Sequence, residues 1–258
     1  MDILVFTKRV PATQEEELRI VNDGQAVDLS KVPFKLNDWD NYSVEEAVRI
    51  AEKTGGSVTA IALGDPESDE VLRRAIAMGA KDGFLIETDK VLHDPQARAG
   101  LIKNFLTKEK IPFDAIFTGV QSEDDQFAAV GGILAGKLGL PYASMVIGID
   151  TLEKDHATIR RELEGGLQER ITVALPCVLS LQSGINEPRY VSIMGVRKAS
   201  KVARKLFNAK DYGDTPATID VTKWVYPPKK GGATMLSGEP EAMIKELLAI
   251  LKEKGVYQ

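Results

Sequence analysis

The sequence predicts an α/β protein built on a doubly wound, mostly parallel sheet, and three observations favour this fold. Short β-type runs alternate with helical patterns from the first residues to about residue 138. The runs at 3–6 and 60–63 are apolar throughout, as is typical of strands covered by helices on both faces. From about Ser144 strand-like segments follow one another without a long helix, which predicts closely connected and partly antiparallel strands.

The boundaries of these elements follow from the periodicity and from residues typical of helix ends. In chain order we predict strand 3–7, helix 44–53, strand 58–63, helix 67–78, strand 83–87, helix 98–108, strand 115–118 and helix 127–138. Ser43 followed by Glu46 is a capping-box pattern that predicts the start of the first helix, and Gly55-Gly56 predicts its end. Later strands are predicted at 145–149, 158–163, 171–175 and 178–181.

The chain after about Asn208 is sparse in apolar residues and is predicted to form an extended arm ending in a helix. The Pro-Pro-Lys-Lys-Gly-Gly run at 227–232 indicates a linker. A helix near 239–254 would carry Met243, Leu247, Leu248 and Leu251 along one stripe. We therefore expect an α/β domain over 1–207 and an arm over 208–258, which packs on a partner subunit in preference to its own domain.

Composition excludes several classes of function. The 258 residues include 33 basic and 38 acidic side chains, a formal charge of −5, which argues against wholesale nucleic-acid binding. His93 and His156 lie far apart, and the single cysteine, Cys177, falls in an apolar run that reads as a buried strand, so no metal site is expected. No secretory signal opens the chain and no window approaches the roughly 18 apolar residues of a membrane span, so we expect a cytoplasmic protein, or one in an organelle lumen reached without this signal.

Four predicted loops follow the carboxyl ends of strands, where open α/β sheets bind ligands. They are 7–9, 36–40, 64–67 and 119–125. Three of them precede helices, so their main-chain amides could collect phosphate oxygens while side chains contact sugar and base. An adenine nucleotide is the simplest ligand, although another small ligand, or none, remains open at this stage.

Two other patterns resemble a phosphate loop and a catalytic carboxylate pair, but neither is interpreted as a functional site. The run 131–137 satisfies Gly-x-x-x-x-Gly-Lys, but Leu138 stands where a phosphate loop needs serine or threonine, and the run lies inside an apolar helical pattern. We interpret these as packing glycines, and no Gly-x-Gly-x-x-Gly fingerprint follows the first strand. Glu162 and Glu164, spaced to share a strand face beside Arg160 and Arg161, are interpreted as a charge cluster, so no catalytic residue is assigned.

Several segments in order make a family resemblance specific: ILVFTKRV at 3–10, LNDWDNYSVEEA at 36–47, GVQSED at 119–124, RELEGG at 161–166 and NEPRYVSIMGVRKA at 186–199. The chain resembles the electron-transfer flavoprotein beta subunit from residue 1 to about 255. The resemblance implies an adenine nucleotide alpha hydrolase-like fold. It also implies a heterodimer in which the alpha subunit carries redox-active FAD and the beta subunit holds a structural AMP.

The resemblance also implies where the nucleotide binds. The residues that match are Phe6, Asn37, Asp38, Trp39, Asp40, Leu63, Gly64, Gln121, Ser122, Glu123, Asp124, Asp125, Gln126, Phe127, Ala128, Ala129, Val130, Gly131 and Gly132. The family loop often has polar side chains where this chain has Ala128, Ala129 and Val130. Main-chain amides are therefore expected to bind the phosphate here.

The resemblance also implies a second functional region, which contacts partner proteins. The family's recognition loop corresponds to residues 184–205, which we call the docking segment, with Ile193 as the apolar anchor beside Met194, Val196, Arg197 and Lys198. Between Pro188 and Lys210 there are seven basic residues and no acidic ones. A solvated face and nucleic-acid contact are the alternatives, but the adjacent apolar residues favour protein docking. Arg161 and Glu162 match positions that face the mobile flavin domain of the alpha subunit.

The resemblance implies an electron-carrier subunit and not an enzyme. Electrons would pass from acyl-CoA or amine dehydrogenases, through the alpha-subunit FAD, to a membrane quinone oxidoreductase, in the bacterial cytoplasm or the mitochondrial matrix. In one alternative, an electron-bifurcating member binds a second FAD in place of AMP. In another, the chain is itself an ATP-using enzyme of a related adenine-nucleotide fold, which the missing phosphate-loop hydroxyl disfavours.

Overall fold

A large, twisted β-sheet organises the first part of the chain. The computed structural model describes residues 1–13, 18–89, 92–228 and 231–256, and divides them into two compact units, Met1–Trp224 and Val225–Gln258. Among the described residues, nine strands form the main sheet, in the order β11-β10-β9-β12-β8-β1-β6-β7-β13. The strands in chain order are β1 (Ile3–Thr7), β2 (Arg9–Pro11), β3 (Arg19–Val21), β4 (Ala26–Asp28), β5 (Phe34–Leu36), β6 (Val58–Gly64), β7 (Asp82–Glu87), β8 (Ala115–Gly119), β9 (Tyr142–Leu152), β10 (His156–Glu162), β11 (Gln168–Ala174), β12 (Cys177–Leu181) and β13 (Lys205–Asn208).

Strand directions confirm the predicted fold class. All neighbours from β9 through β12, β8, β1, β6 and β7 to β13 pair in parallel, whereas β10 pairs antiparallel with both β9 and β11. The predicted change from alternating elements to closely connected strands therefore corresponds to the β9–β10–β11 meander, which extends one edge of the sheet.

Helices cover both faces of the sheet. The helices of the first unit are α1 (Asp38–Thr54), α2 (Asp69–Met78), α3 (Pro95–Glu109), α4 (Val130–Leu138) and α5 (Ile193–Ala199), and α6 (Pro240–Glu253) belongs to the second unit. Val44 of α1 and Leu72 of α2 belong to one buried apolar cluster, and Phe105 of α3 and Leu134 of α4 belong to a second. Successive residues of β1 contribute alternately to the two clusters, because strand side chains alternate between faces. None of the described helices has the length and apolarity needed to cross a membrane.

The start predicted for the first helix is wrong. The helix begins at Asp38, five residues before the predicted cap. Ser43 lies inside it, and its hydroxyl donates to the carbonyl oxygen of Trp39 at 3.1 Å, an i to i−4 bond that serine can make within a helix. The predicted end is confirmed, because Gly55 takes a left-handed conformation with φ 70°.

The helix predicted from residue 127 begins at Val130, so residues 127–129 form part of a loop. The Gly-x-x-x-x-Gly-Lys run lies within this helix, as the periodicity predicts. Several short elements were not predicted: the pairs β2–β5 and β3–β4, the edge strand β13 and helix α5. Short elements carry too few apolar repeats to stand out in a sequence.

The described contacts put the division between the two units after Trp224, not at residue 208. Tyr212 is buried in the apolar cluster around Phe105, and Thr218 donates main-chain and side-chain hydrogen bonds to Asp94 at the start of α3. The predicted linker 227–232 has no regular structure where it is described, and its residues 229 and 230 lie outside the described residues. In the second unit, α6 confirms the predicted final helix, and none of its residues is buried.

Cys177 begins β12 and is fully buried, as predicted. Burial raises the pKa of its thiol to about 12. The thiol therefore packs as a small apolar group.

Candidate functional site

A candidate ligand cavity of the first unit lies where the sheet changes winding direction. From β1 the chain crosses through α1 to β6 and through α2 to β7, on one side of β1; through α3 it then returns to β8 on the other side. The connections leaving β1 and β8 diverge, and a crevice opens at the carboxyl ends of these two strands. A cavity of about 110 Å³ lies there.

The cavity brings together most of the predicted nucleotide residues. Those that line it are Phe6, Asn37, Asp40, Leu63, Gln121, Ser122, Asp125, Phe127, Ala128, Ala129, Val130 and Gly131. Sequence reasoning did not assign seven further lining residues, which are Thr7, Lys8, Arg98, Ile102, Thr118, Gly119 and Val120. Lys8 and Gly119 to Val120 lie in loops that the carboxyl-end rule had singled out, whereas Arg98 and Ile102 lie within α3 and only tertiary packing brings them here.

The remaining predicted residues do not line this cavity. Gly64 and Asp124 line an adjoining hollow of about 540 Å³, together with Arg9 and Phe34. Trp39 donates its indole N–H to Gln182 at 2.8 Å. The other residues outside the lining are Asp38, Glu123, Gln126 and Gly132.

Asp38 and Glu123 act on the loop that borders the cavity. Both carboxylates accept from Lys35 Nζ, at 2.9 and 3.0 Å. Burial raises the pKa of Glu123, and the nearby Asp38 adds to the rise, while Lys35 opposes it. The Lys35 ammonium therefore joins the start of α1 to the loop after β8.

One wall of the cavity is apolar. Phe6 and Ile102 belong to the buried cluster under α3 and α4, and Leu63 packs against the same cluster. Phe6 lies near the carboxyl end of β1 and Leu63 near that of β6, so the two side chains come from neighbouring strands of the sheet. Such a wall suits the face of an aromatic base.

A compact ion-pair network also lines the cavity. Lys8 Nζ lies 2.6 Å from Asp124 and 2.8 Å from Asp125, and Arg98 lies 2.6 Å from Asp125. Burial alone would raise the pKa of Asp125, but Lys8, a hydrogen bond from Ser122 and the Arg98 charge together outweigh it, and the pKa falls to about 2. Asp125 is therefore ionised at neutral pH and holds both cations beside the cavity.

Two polar residues at the start of α1 fix the surrounding loops. Asn37 is buried; its Nδ2 donates to the carbonyl oxygen of Gln121 at 2.9 Å, and its Oδ1 accepts from the Glu123 amide at 3.1 Å. Asp40 accepts the amides of Lys8 at 2.8 Å and Gly119 at 3.2 Å. Burial raises the pKa of Asp40 to about 7, although the hydrogen bonds from Asn37 and the two amides oppose the rise. One helix terminus thus holds the loops after both β1 and β8.

The loop before α4 presents main-chain donors to the cavity. Ala128 has φ 51°, and Ala129 follows with φ −119° and ψ −25°. Adjacent left- and right-handed residues turn successive N–H groups toward a common anion. The amides of residues 128 to 131 donate no hydrogen bond to any residue that the structure describes. They lie at the positive end of the α4 dipole, so they form a site suited to a phosphate.

Gly131 is packed so closely that it excludes a side chain. A Cβ there would collide with the hydroxyl of Ser180 and would lie 2.8 Å from that of Thr118. These two hydroxyls are hydrogen-bonded at 2.8 Å, and Tyr142 donates to Ser180 at 3.1 Å. The glycine therefore allows α4 to start directly against the ends of β8 and β12.

The docking segment contains α5. Ser192 caps this helix by accepting the Gly195 amide at 3.1 Å. Ile193 and Met194 are 75% and 67% exposed, so two of the predicted docking residues are available to a partner. Val196 is half-buried and lines a cavity of about 360 Å³ with residues of β5, α1 and α2, so it is less accessible than predicted.

The predicted flavin-domain contacts lie at the end of β10. Arg161 is half-buried and lies 3.6 Å from Glu169 on β11, and Glu162 is exposed and accepts from Gln182 at 3.4 Å. Glu164 lies in the turn that follows β10, so it does not share a strand face with Glu162 as its spacing suggested. Arg197 and Lys198, the last predicted docking residues, are exposed on α5.

Comparisons with known proteins give one consistent result. A family model described as "Electron transfer flavoprotein domain" matches residues 26–211. The chain is 34% identical to "Electron transfer flavoprotein subunit beta" of Methylophilus methylotrophus, over 98% of each chain. It is 31% identical to the protein of the same name from Mus musculus, over 98% of this chain and 97% of that one. It is 30% identical to "Caffeyl-CoA reductase-Etf complex subunit CarD" of Acetobacterium woodii, over 99% of this chain and all (100%) of that one.

Proposed function

The chain belongs to the electron transfer flavoprotein family, and we propose that it is the beta subunit that holds a structural AMP and docks the electron-donating dehydrogenase. It is an electron-carrier subunit and not an enzyme. Membership of the family also implies an alpha-subunit partner and flavin chemistry. The FAD of the alpha subunit supplies the redox chemistry in this proposal. The residues of this chain bind the nucleotide, position the loops around it and dock the dehydrogenase.

The observation that carries the AMP proposal is the set of unpaired amides at residues 128 to 131 beside an apolar wall. The amides and the positive end of α4 suit a phosphate group. Phe6, Leu63 and Ile102 suit the base. Donors and apolar wall thus match the two ends of a nucleoside monophosphate, and no side-chain hydroxyl is needed where this chain has alanines.

AMP is favoured over a second FAD by the position of the ion-pair network. Lys8 and Arg98 line both the 110 Å³ cavity and the adjoining 540 Å³ hollow, and Asp125 holds both cations between the two spaces. This network stands between the cavity at the free amides and the adjoining hollow, into which a dinucleotide would have to extend. A bifurcating role with FAD in the pocket is the second candidate, because the larger hollow lies next to the first.

We further propose that the docking segment receives an acyl-CoA or amine dehydrogenase, and that the reduced alpha-subunit FAD then delivers electrons to a membrane quinone oxidoreductase. The exposed Ile193 and Met194 beside basic residues support a docking surface with an apolar centre and a charged rim. The setting is the bacterial cytoplasm or the mitochondrial matrix. Arg161 and Glu162 would meet the flavin domain of the alpha subunit.

The test is to identify the nucleotide. The heterodimer is purified, its small molecules are released by denaturation, and the extract is analysed by mass and by flavin absorbance. One AMP and one FAD per heterodimer is the expected result. Two FAD molecules and no AMP would favour the bifurcating candidate, and an extract without any adenine nucleotide beyond the alpha-subunit FAD would overturn the AMP proposal.

A further inference from the structure

We propose that Arg189 and Arg204 are positioning residues that tether the two ends of the exposed part of the docking segment, residues 190–203, to helices α1 and α2. The inference rests on the proposed docking function and adds to it the way in which the segment is held for its partner. In the sequence both arginines belong to one basic run, but the structure gives them internal partners.

The first tether is Arg189. Its Nε and main-chain amide donate to Glu45 Oε2 at 2.9 and 3.0 Å, and its Nη2 donates to Glu45 Oε1 at 3.2 Å. Its Nη1 donates to Glu52, two turns further along α1, at 2.9 Å. Hydrogen bonds with Glu52 and Glu45 hold the pKa of Arg189 above its ordinary value. Because Glu45 is only 4% exposed, its carboxylate needs this charged partner to be buried.

Asn186 adds a neighbouring contact on the same helix. Its Nδ2 donates to the carbonyl oxygen of Tyr42 at 3.1 Å and to Glu46 Oε2 at 3.0 Å. The chain therefore lies along α1 before it enters the exposed part of the segment. Since α1 also fixes the cavity loops through Asn37 and Asp40, one helix positions both the nucleotide site and the start of the docking surface.

The second tether is Arg204. Its Nε donates to Asp69, the first residue of α2. Its Nη1 donates to the carbonyl oxygen of Val202 at 2.7 Å and, more weakly, to those of Ala199 and Ser200. These carbonyls lie at or just after the end of α5, so Arg204 binds the last turn of the segment and ties it to α2 with one guanidinium.

Most residues between the tethers are exposed, although Ala199 is buried and Val191 packs against the apolar core. Tyr190 and Ile193 are 91% and 75% exposed, and α5 has only seven residues. A helix this short is not stable in isolation, so its orientation depends on its attachments. A segment already held in its docking geometry loses less entropy on binding, which strengthens association with the dehydrogenase.

The basic residues of the docking segment fall into two groups by their exposure and their partners, which agrees with this inference. Arg197, Lys198 and Lys201 are exposed and have no ion pair among the residues described, so they remain available to a partner. Arg189 and Arg204, in contrast, have their guanidinium groups directed into the α/β unit. The sequence pattern alone cannot separate these two groups, because all five residues share the same charge.

The experiment compares Arg189→Lys and Arg204→Lys with the unmodified heterodimer. Each change keeps the charge but removes the forked set of donors. Hydrogen exchange of residues 190–203 is measured by mass spectrometry, and the KM of an acyl-CoA dehydrogenase from the same organism for the flavoprotein is measured separately from kcat. Glu52→Gln, which removes only the exposed partner of Arg189, is a milder variant that leaves the buried Glu45 pair intact. Arg49→Gln is the matched control, because Arg49 makes only a 3.5 Å surface pair on α1.

Both lysine variants are expected to speed exchange in 190–203 at least several-fold and to raise KM several-fold, with kcat and bound nucleotide unchanged. Glu52→Gln should show a smaller change in the same direction, and Arg49→Gln none. Exchange and KM that match the unmodified protein in both lysine variants would overturn the inference. If the unmodified heterodimer shows no saturable reduction by the dehydrogenase, the docking function itself fails, and the exchange measurement still decides whether the tethers exist.

Discussion

At the scale of single residues, the start of α4 leaves no room for a side chain at residue 131. We expect Gly131→Ala to destabilise the protein by about 1–3 kcal/mol, because the added methyl group must displace Ser180 and Thr118. The same shift moves the amides proposed to bind the phosphate, so AMP retention should fall as well. Denaturant unfolding and nucleotide content after gel filtration measure the two effects.

Gly136→Ala is the control for this change. It lies in the same helix, but nothing stands within 4 Å of the added methyl group. Because glycine is a poor helix former, this substitution should be neutral or should stabilise by up to about 1 kcal/mol. Equal effects of the two substitutions would show that packing at residue 131 is not the cause.

Asp125 gives a pH prediction. Its pKa falls from an ordinary 3.8 to about 2 in the folded protein. A carboxyl group with a lowered folded pKa contributes stability above its unfolded pKa, and that contribution disappears as pH falls from about 4 to about 2. The contribution is about 2 kcal/mol at neutral pH. Asp125→Asn should therefore unfold more easily than the unmodified protein at pH 7, and the gap in unfolding free energy should close toward pH 2.

At the scale of elements, the amino-terminal end of α1 organises the cavity. Asn37→Ala removes two partly buried hydrogen bonds to the loop after β8, which Asn37 makes with the Gln121 carbonyl and the Glu123 amide. We expect a loss of about 2 kcal/mol in unfolding free energy and weaker AMP retention. Asn41→Ala is the matched change in the next turn, where the side chain contacts Arg74 instead of the loop. That variant should retain AMP normally, and AMP loss in both would contradict the assigned role.

The sequence predicts an element well when the apolar residues of that element repeat at a regular period. β1, β6, α2 and α3 are fully or largely buried on a regular period, so pattern and structure agree. The start of α1 was wrong because Ser43 and Glu46 satisfy the capping pattern, while the helix actually begins after Asn37, whose side chain is committed to the neighbouring loop. Local rules cannot weigh that long-range alternative.

The sequence predicted where the candidate cavity lies but not all of the residues that line it. The rule that ligands lie at the carboxyl ends of strands selected the loops after β1, β6 and β8. Arg98 and Ile102 were missed because they lie in the first half of α3, and only the packing of that helix across the sheet brings them to the cavity. The docking residues show the same limit, since Arg197 and Arg204 look alike in sequence but differ in exposure and partners.

At the scale of the whole molecule, the second unit is available for association. Its helix α6 has exposed Ile244, Leu247 and Leu248, and none of its residues is buried. We predict that a chain ending at Trp224 keeps the melting temperature of the first unit within a few degrees but no longer co-purifies with the alpha subunit. A double change, Leu247→Asp with Leu248→Asp, should also prevent co-purification in the full-length chain. Normal heterodimer formation by both variants would exclude the arm as the alpha-subunit contact.

The deep position of Cys177 makes the subunit convenient for spectroscopy. Its thiol is shielded inside the sheet and stays protonated at any pH used for labelling with maleimides, so it will not compete for a probe. A cysteine introduced on the surface therefore becomes the one reactive thiol of this chain. A fluorophore or spin label placed there would report the approach of an alpha subunit from a single known point, without prior mutation of the native residue.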